Sequence, residues 1–169
     1  MNEMLQFSMR HGGAVLFVVV LLEQTGVPIP AAPCLLAAGV LCATGKTSPA
    51  AMIGVTVLAC LIADGAWFYV GRRCGKRVLQ FLNRLTSSHY SRVEELERNF
   101  TRHAMPVLAF AKFIPGLSIV VPPLAGAVRI GVGQFLLFDS LGSVLYAGGY
   151  LLLGSAFSGQ AQAVFDMIS

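Results

Sequence analysis

The sequence predicts an all-α, polytopic membrane protein: two opposed re-entrant helical hairpins, each followed by a transmembrane helix, arranged as an inverted repeat with interfacial amphipathic helices. Three observations carry this. The 169 residues are 56% hydrophobic and 12% charged, with mean hydropathy +0.72, which is too apolar for a soluble domain of ordinary composition. Two stretches, 50–71 and 130–157, supply the roughly 20 apolar residues that a helix needs to cross hydrocarbon. Two others, 12–45 and 104–128, are similarly apolar but are punctuated by a charge, prolines and glycines.

In the first hairpin, 12–45, an apolar run reaches Leu22 and stops at Glu23. Gly26, Pro28, Pro30 and Pro33 then interrupt any helix before Leu35 to Ala43 resumes it. Because Glu23 and prolines follow the early apolar run where a cleavage site would need small residues, no cleavable secretory signal is expected. Residues 50–71 read as a full span carrying Asp64, with Trp67, Phe68 and Tyr69 near its end suiting an aromatic belt.

Residues 72–103 hold eight of the twelve basic residues (Arg72, Arg73, Lys76, Arg77, Arg84, Arg92, Arg98, Arg102), which makes this segment cytoplasmic by the positive-inside rule. Cys74–Leu85 and Ser91–His103 read as surface helices. Ser91 with Glu94 gives a capping-box signature, and Val93, Leu96 and Phe100 share one face. Arg72, Arg73, Lys76 and Arg77 anchor the chain to anionic headgroups. Nucleic acid is set aside as a partner, because the basic segment lies between apolar spans and also carries Glu94, Glu95 and Glu97.

The second hairpin, 104–128, is long enough to span, but Lys112, Pro115, Gly116, Pro122, Pro123 and Gly126 break it repeatedly; the last span, 130–157, carries Asp139. Non-helical backbone persists at membrane depth only where it is buried in protein or lines a wet cavity. The two broken stretches match each other. "EQTGVPIPAAPCLLAAG" (23–39) and "KFIPGLSIVVPPLAG" (112–126) both run from a charged residue through prolines to Ala-Gly, and a full span follows each. Such paired interruptions point to a transporter-type site at the bilayer midplane. With 72–103 cytoplasmic, the second hairpin enters from the cytoplasm and the first from the opposite side.

These residues, with "ADGAWFYVGRRCG" (63–75) and "FLLFDSLGSVLYAG" (135–148), resemble the DedA family of bacterial membrane proteins, related to the VTT-domain lipid scramblases. The resemblance covers about residues 12–155. It implies a lipid transporter of the bacterial inner membrane that handles undecaprenyl phosphate or phospholipid, with proton coupling proposed for some members. The chain departs from the family pattern at several positions. Ala32 stands where a second acidic residue is common, Lys112 and Ser118 where two arginines are usual, and Asp139 and Tyr146 where asparagine and tryptophan are usual.

Glu23 reads as a proton-responsive carboxylate or as a cap on the broken tip's free N–H groups. Lys112 pairs with Glu23, meets a lipid phosphate, or snorkels to the surface. The tips shaped by Pro28, Pro30, Gly116 and Pro122 expose helix N-termini that suit a phosphate, with Ser118 adding a hydroxyl and Arg129 a further cation. Asp64 neutralises Lys112 or Arg129, or joins a proton path, or forms a structural ion pair; Asp139 has the same alternatives. Cys34, Cys42, Cys60 and Cys74 lack metal-ligand spacing and read as small buried hydrophobes, and His11, His89 and His103 are scattered. No catalytic constellation, metal site or cofactor is expected, and the partners are anionic membrane lipids, with self-association left open. The functional expectation is movement of a phosphorylated lipid between leaflets. Two alternatives stand beside it: a proton- or cation-coupled carrier of a small solute, and a non-transporting membrane scaffold.

Overall fold

The computed structural model describes residues 2–85, 106–114 and 117–168. Every regular element among them is helical: α1 (Asn2–Thr25), α2 (Ala32–Ala43), α3 (Pro49–Leu85), a 3-10 turn (Ala111–Phe113) preceded by helical residues 106–110, α4 (Leu117–Ala127) and α5 (Val132–Ile168). They form two compact units. One comprises Met1–Ala59 with Val144–Ser169, the other Cys60–Ser143, so α3 and α5 each contribute to both. Expectations for Ser91–His103 and for Gly116 lie outside the described residues, as does the side chain of Lys76.

In the first unit α1 starts earlier than the expected residue 12, because no proline or glycine interrupts the preceding residues. It stops where Gly26 turns into the left-handed region at φ 103°. There the Gly26 N–H donates to Glu23 O and the Val27 N–H to Leu22 O, both at 3.0 Å, the two bonds of a Schellman cap. Pro28 and Pro30 keep the following residues extended. Pro33 falls in the first turn of α2, where a missing N–H costs nothing. A second Schellman cap ends α2 at Gly45, φ 69°, with Gly45 N–H to Cys42 O at 3.0 Å and Lys46 N–H to Leu41 O at 3.1 Å. Leu16, Val20, Leu35, Ala38, Tyr146 and Leu151 form the buried interior.

In the second unit α3 bends at Cys74 (φ −109°, ψ 22°), close to the boundary expected between span and surface helix. The core gathers Phe68, Leu108, Ala111, Val121, Ala125 and Phe135, with the Phe68 and Phe135 rings stacked at 4.2 Å and 19°. One expectation fails here. Pro122 and Pro123 do not break the second segment but sit inside α4. Their missing N–H groups leave the Ser118 and Ile119 carbonyls without helical donors, yet close packing holds the helix. A methyl group at Gly126 would overlap the Phe68 carbonyl oxygen, and one at Gly71 would overlap that of Pro123. The first unit contains the same reciprocal crossing: Gly39 lies against the Leu151 carbonyl and Gly154 against that of Leu36.

Two helical stretches, Pro49–Gly75 and Val132–Ser158, each 27 residues, are long and apolar enough to cross a membrane. The distribution of polarity supports that solvent. Leu58, Ile62, Tyr69, Leu137, Leu152 and Phe157 are exposed, whereas Gln24, Thr56, Asp64, Lys112, Asp139 and Ser143 are buried. Large apolar side chains turned outward around a partly polar interior are costly in water and favourable in lipid.

Candidate functional site

Each unit holds one charged residue at the end of the first arm of a helix–break–helix element. In the first unit, Glu23 is three residues before the glycine cap of α1, so its side chain stands beside the break. Its Oε1 accepts the Ala31 N–H at 2.9 Å, and its Oε2 accepts the Tyr146 hydroxyl at 3.0 Å. Ala31 is the N-cap of α2 and provides no side-chain cap itself. A carboxylate from nine residues upstream of Ala32 thus occupies the positive end of α2, where helix geometry favours an anion. Beside it Gln24 is buried, and its Oε1 has no hydrogen-bond partner among the described residues.

In the second unit, the 3-10 turn carries Lys112 inward. Its Nζ donates to Asp64 Oδ2 from α3 and lies 3.0 Å from Asp139 Oδ1 of α5. Lysine 112 is 7% exposed, Asp64 0% and Asp139 1%, so this is a triad of buried charges with a formal balance of one negative. Asp64 Oδ1 and Asp139 Oδ2 have no hydrogen-bond partner among the described residues. Coulombic attraction at low dielectric is strong, but the second carboxylate has only a share of one ammonium.

Lys112 is therefore held by carboxylates and does not snorkel to the surface, and Asp64 is neutralised by Lys112. Arg129, the other partner considered for Asp64, lies exposed at the end of α4. Ser118 is half-buried in the first turn of α4, Pro122 is buried, and Pro28 and Pro30 are exposed in the break between α1 and α2. Arg72, Arg73 and Arg77 are exposed near the bend in α3. All four cysteines are free, Cys60 fully buried and the others partly so. Sequence reasoning missed Tyr146 as the partner of Glu23, since 123 residues separate them, and missed Gln24 altogether. Lys112 was one of the alternatives read from the sequence for Asp64 and for Asp139; what the sequence did not decide is that both carboxylates meet it at once.

Comparison with known proteins places this chain in a family. The VTT domain matches residues 29–156. An uncharacterized membrane protein of Synechocystis sp. is 25% identical over 142 residues, covering 84% of this chain and 65% of the relative. A Mycobacterium tuberculosis membrane protein is 30% identical over 135 residues, covering 78% of this chain and 62% of the relative. The undecaprenyl phosphate transporter A of Staphylococcus aureus is 24% identical over 157 residues, with 90% of this chain and 77% of the relative aligned. The chain thus spans just under two thirds of the length of the first two relatives, and no solved structure matches it. With the family's domain covering residues 29–156 of a chain whose long helices are apolar outside and polar within, this is a membrane protein that belongs to the VTT-domain (DedA) family.

Proposed function

We propose that this protein moves a phosphate-bearing lipid between the leaflets of the bacterial inner membrane, with residues 72–103 on the cytoplasmic side and both helix–break–helix elements entering the bilayer as re-entrant hairpins of an inverted repeat. The observation that carries the reading is the Glu23 carboxylate on the Ala31 N–H at the start of α2. The chain already places an anion there, and a lipid phosphate has the charge and acceptor geometry to take the same donor. Protonation of Glu23 withdraws the competing charge, which couples the exchange to a proton. Pro28 and Pro30 keep the break open. On the second element, Ser118 supplies a hydroxyl and Pro122 shapes the return helix, while Asp64 and Asp139, buried against Lys112, are the further proton-coupling groups. A relative named for undecaprenyl phosphate transport supports a polyprenyl phosphate as substrate.

Reconstituted liposomes loaded with undecaprenyl phosphate in one leaflet, and parallel vesicles with labelled phospholipid, test this. The expected result is lipid movement accelerated by a pH gradient in the wild type, and slow, gradient-independent movement in Glu23→Gln, whose amide oxygen still accepts from Ala31. A folded Glu23→Gln protein that transports at the wild-type rate overturns the mechanism. The formal negative charge of the buried triad favours a second reading, a cation-coupled carrier of a small solute, which requires solute uptake without lipid movement.

A further inference from the structure

The arginines near the bend of α3 meet the end of α4 in a pocket of about 570 Å³ within the second unit. Arg72, Arg73 and Arg77 line it from α3, Arg129 from the residue pair after α4, and Gly75 and Ala127 lie between them. Among the described residues no carboxylate lines it, so Arg72, Arg73, Arg77 and Arg129 share one pocket with no described counter-charge. Two of them are positioned by the fold. Arg72 Nη1 donates to Ile130 O at 3.3 Å, and its guanidinium lies 5.6 Å from the Phe68 ring centroid. Arg129 is the left-handed residue of a third Schellman cap, with φ 59°, its N–H donating to Gly126 O and that of Ile130 to Ala125 O, both at 3.1 Å. The equivalent positions after α1 and α2 are Gly26 and Gly45. At this third cap, a side chain is accepted in a conformation that L-residues disfavour, and the side chain adds to a cluster of like charge.

Both features fall on one pocket of exposed arginines, where a bound anion offsets the repulsion between like charges. Guanidinium groups present paired N–H donors that match the oxygens of phosphate. With four guanidinium groups and no carboxylate among the described lining residues, a phosphate of higher net charge gains more than a zwitterionic headgroup. We propose that this pocket binds a phosphate group carrying two or more negative charges, free in solution or borne by a lipid. The site is separate from Glu23 and from the lysine triad, and it stands without the transport reading.

The full chain in detergent is titrated calorimetrically with inorganic pyrophosphate. In nanodiscs of phosphatidylcholine it is presented with phosphatidic acid or, as a singly charged control, phosphatidylglycerol. Expected is saturable pyrophosphate binding, preference for phosphatidic acid over phosphatidylglycerol, or both, each weakened roughly tenfold or more by Arg129→Gly and by Arg73→Gln. Arg129→Gly suits the left-handed cap, so its thermal stability is expected to be no lower than that of the wild type. Pyrophosphate binding alone identifies a soluble anion, and phosphatidic acid preference alone identifies a lipid headgroup. Absence of both, or variants that bind as the wild type does, overturns the proposal. A protein that shows this selectivity but moves no lipid overturns the transport reading alone.

Discussion

Lys112 is the counter-ion of two buried carboxylates in the second unit. It stands between two carboxylates at 7% exposure, with Asp64 at 0% and Asp139 at 1%, so the formal charge of the cluster is −1. Lys112→Met preserves most of the volume and moves that charge to −2, leaving two buried acids without a counter-ion. Removing one partner of a buried pair costs about 3–5 kcal/mol. Asp139→Asn instead leaves one lysine and one aspartate, and its amide retains an oxygen to accept from Lys112, so a change of less than about 1 kcal/mol is expected. Neutralising both acids in the Lys112→Met background recovers much of the loss, because buried ions replaced together by neutral groups are often nearly free of cost. Equilibrium unfolding in mixed micelles, followed by the fluorescence of Trp67, the single tryptophan, reads all three variants. An Asp139→Asn protein as unstable as Lys112→Met refutes the argument that charge balance, and not shape, holds the cluster.

Gly71→Ala and Gly126→Ala place a methyl group into backbone carbonyls and are expected to destabilise by about 1–3 kcal/mol or prevent folding, whereas Gly148→Ala, with nothing within 4 Å, is neutral or stabilising by up to about 1 kcal/mol; thermal melts in detergent decide both. Glu23→Ala leaves the Ala31 N–H and the Tyr146 hydroxyl without that acceptor and is expected to cost about 1–3 kcal/mol, with Tyr146→Phe costing less; a Glu23→Ala melt matching the wild type would refute the cap. Arg129→Gly is expected to leave the melting temperature unchanged or raise it, and a clear fall would show that the arginine supports the cap that its backbone strains.

Much of the fold was legible because lipid imposes hard rules on sequence. The full spans announce themselves by length and apolarity, and Gly26 and the prolines after it mark a break that the structure places there, with Pro33 starting the return helix. Pro122 and Pro123 misled for the opposite reason. A proline's local cost is visible in sequence, but the packing of Gly126 on Phe68 and Gly71 on Pro123 that outweighs it is long-range. The site divides in the same way. Glu23 and Lys112 stood out as charges in apolar surroundings, and pairing of Asp64 with Lys112 was among the alternatives read from the sequence. Tyr146 as the partner of Glu23 could not be read off, since a side chain's hydrogen-bond partner depends on which helices cross and at what height. Ala32, where the family resemblance led one to expect an acid, illustrates the point. The N–H of the residue just before it is satisfied by Glu23 reaching across the break, so a single carboxylate serves the loop.

The glycine crossings explain why the two halves resemble each other so closely around Ala-Gly and so little elsewhere. Leu36 and Gly39 face Leu151 and Gly154, while Pro123 and Gly126 face Phe68 and Gly71; within each pair the spacing is three residues, one helical turn. The return arm of the first half therefore packs on the long helix of the second half, and the return arm of the second on the long helix of the first. Close backbone approach demands glycine at those points whatever the function, so the motif is retained in both halves. The charged positions are under no such demand. Each first arm brings its charge to a residue about two turns before the crossing glycine of the opposing helix, Glu23 to Tyr146 and Lys112 to Asp64, and there the chemistry diverges: a carboxylate held by a phenol and a backbone N–H in one unit, an ammonium held by two carboxylates in the other. The two units are thus repeated in their glycine contacts and opposite in the sign of the charge at the end of the first arm. Because the partners are exchanged, neither half retains its crossing alone, and co-expression of 1–103 with 104–169 is expected to yield folded protein where either fragment by itself does not.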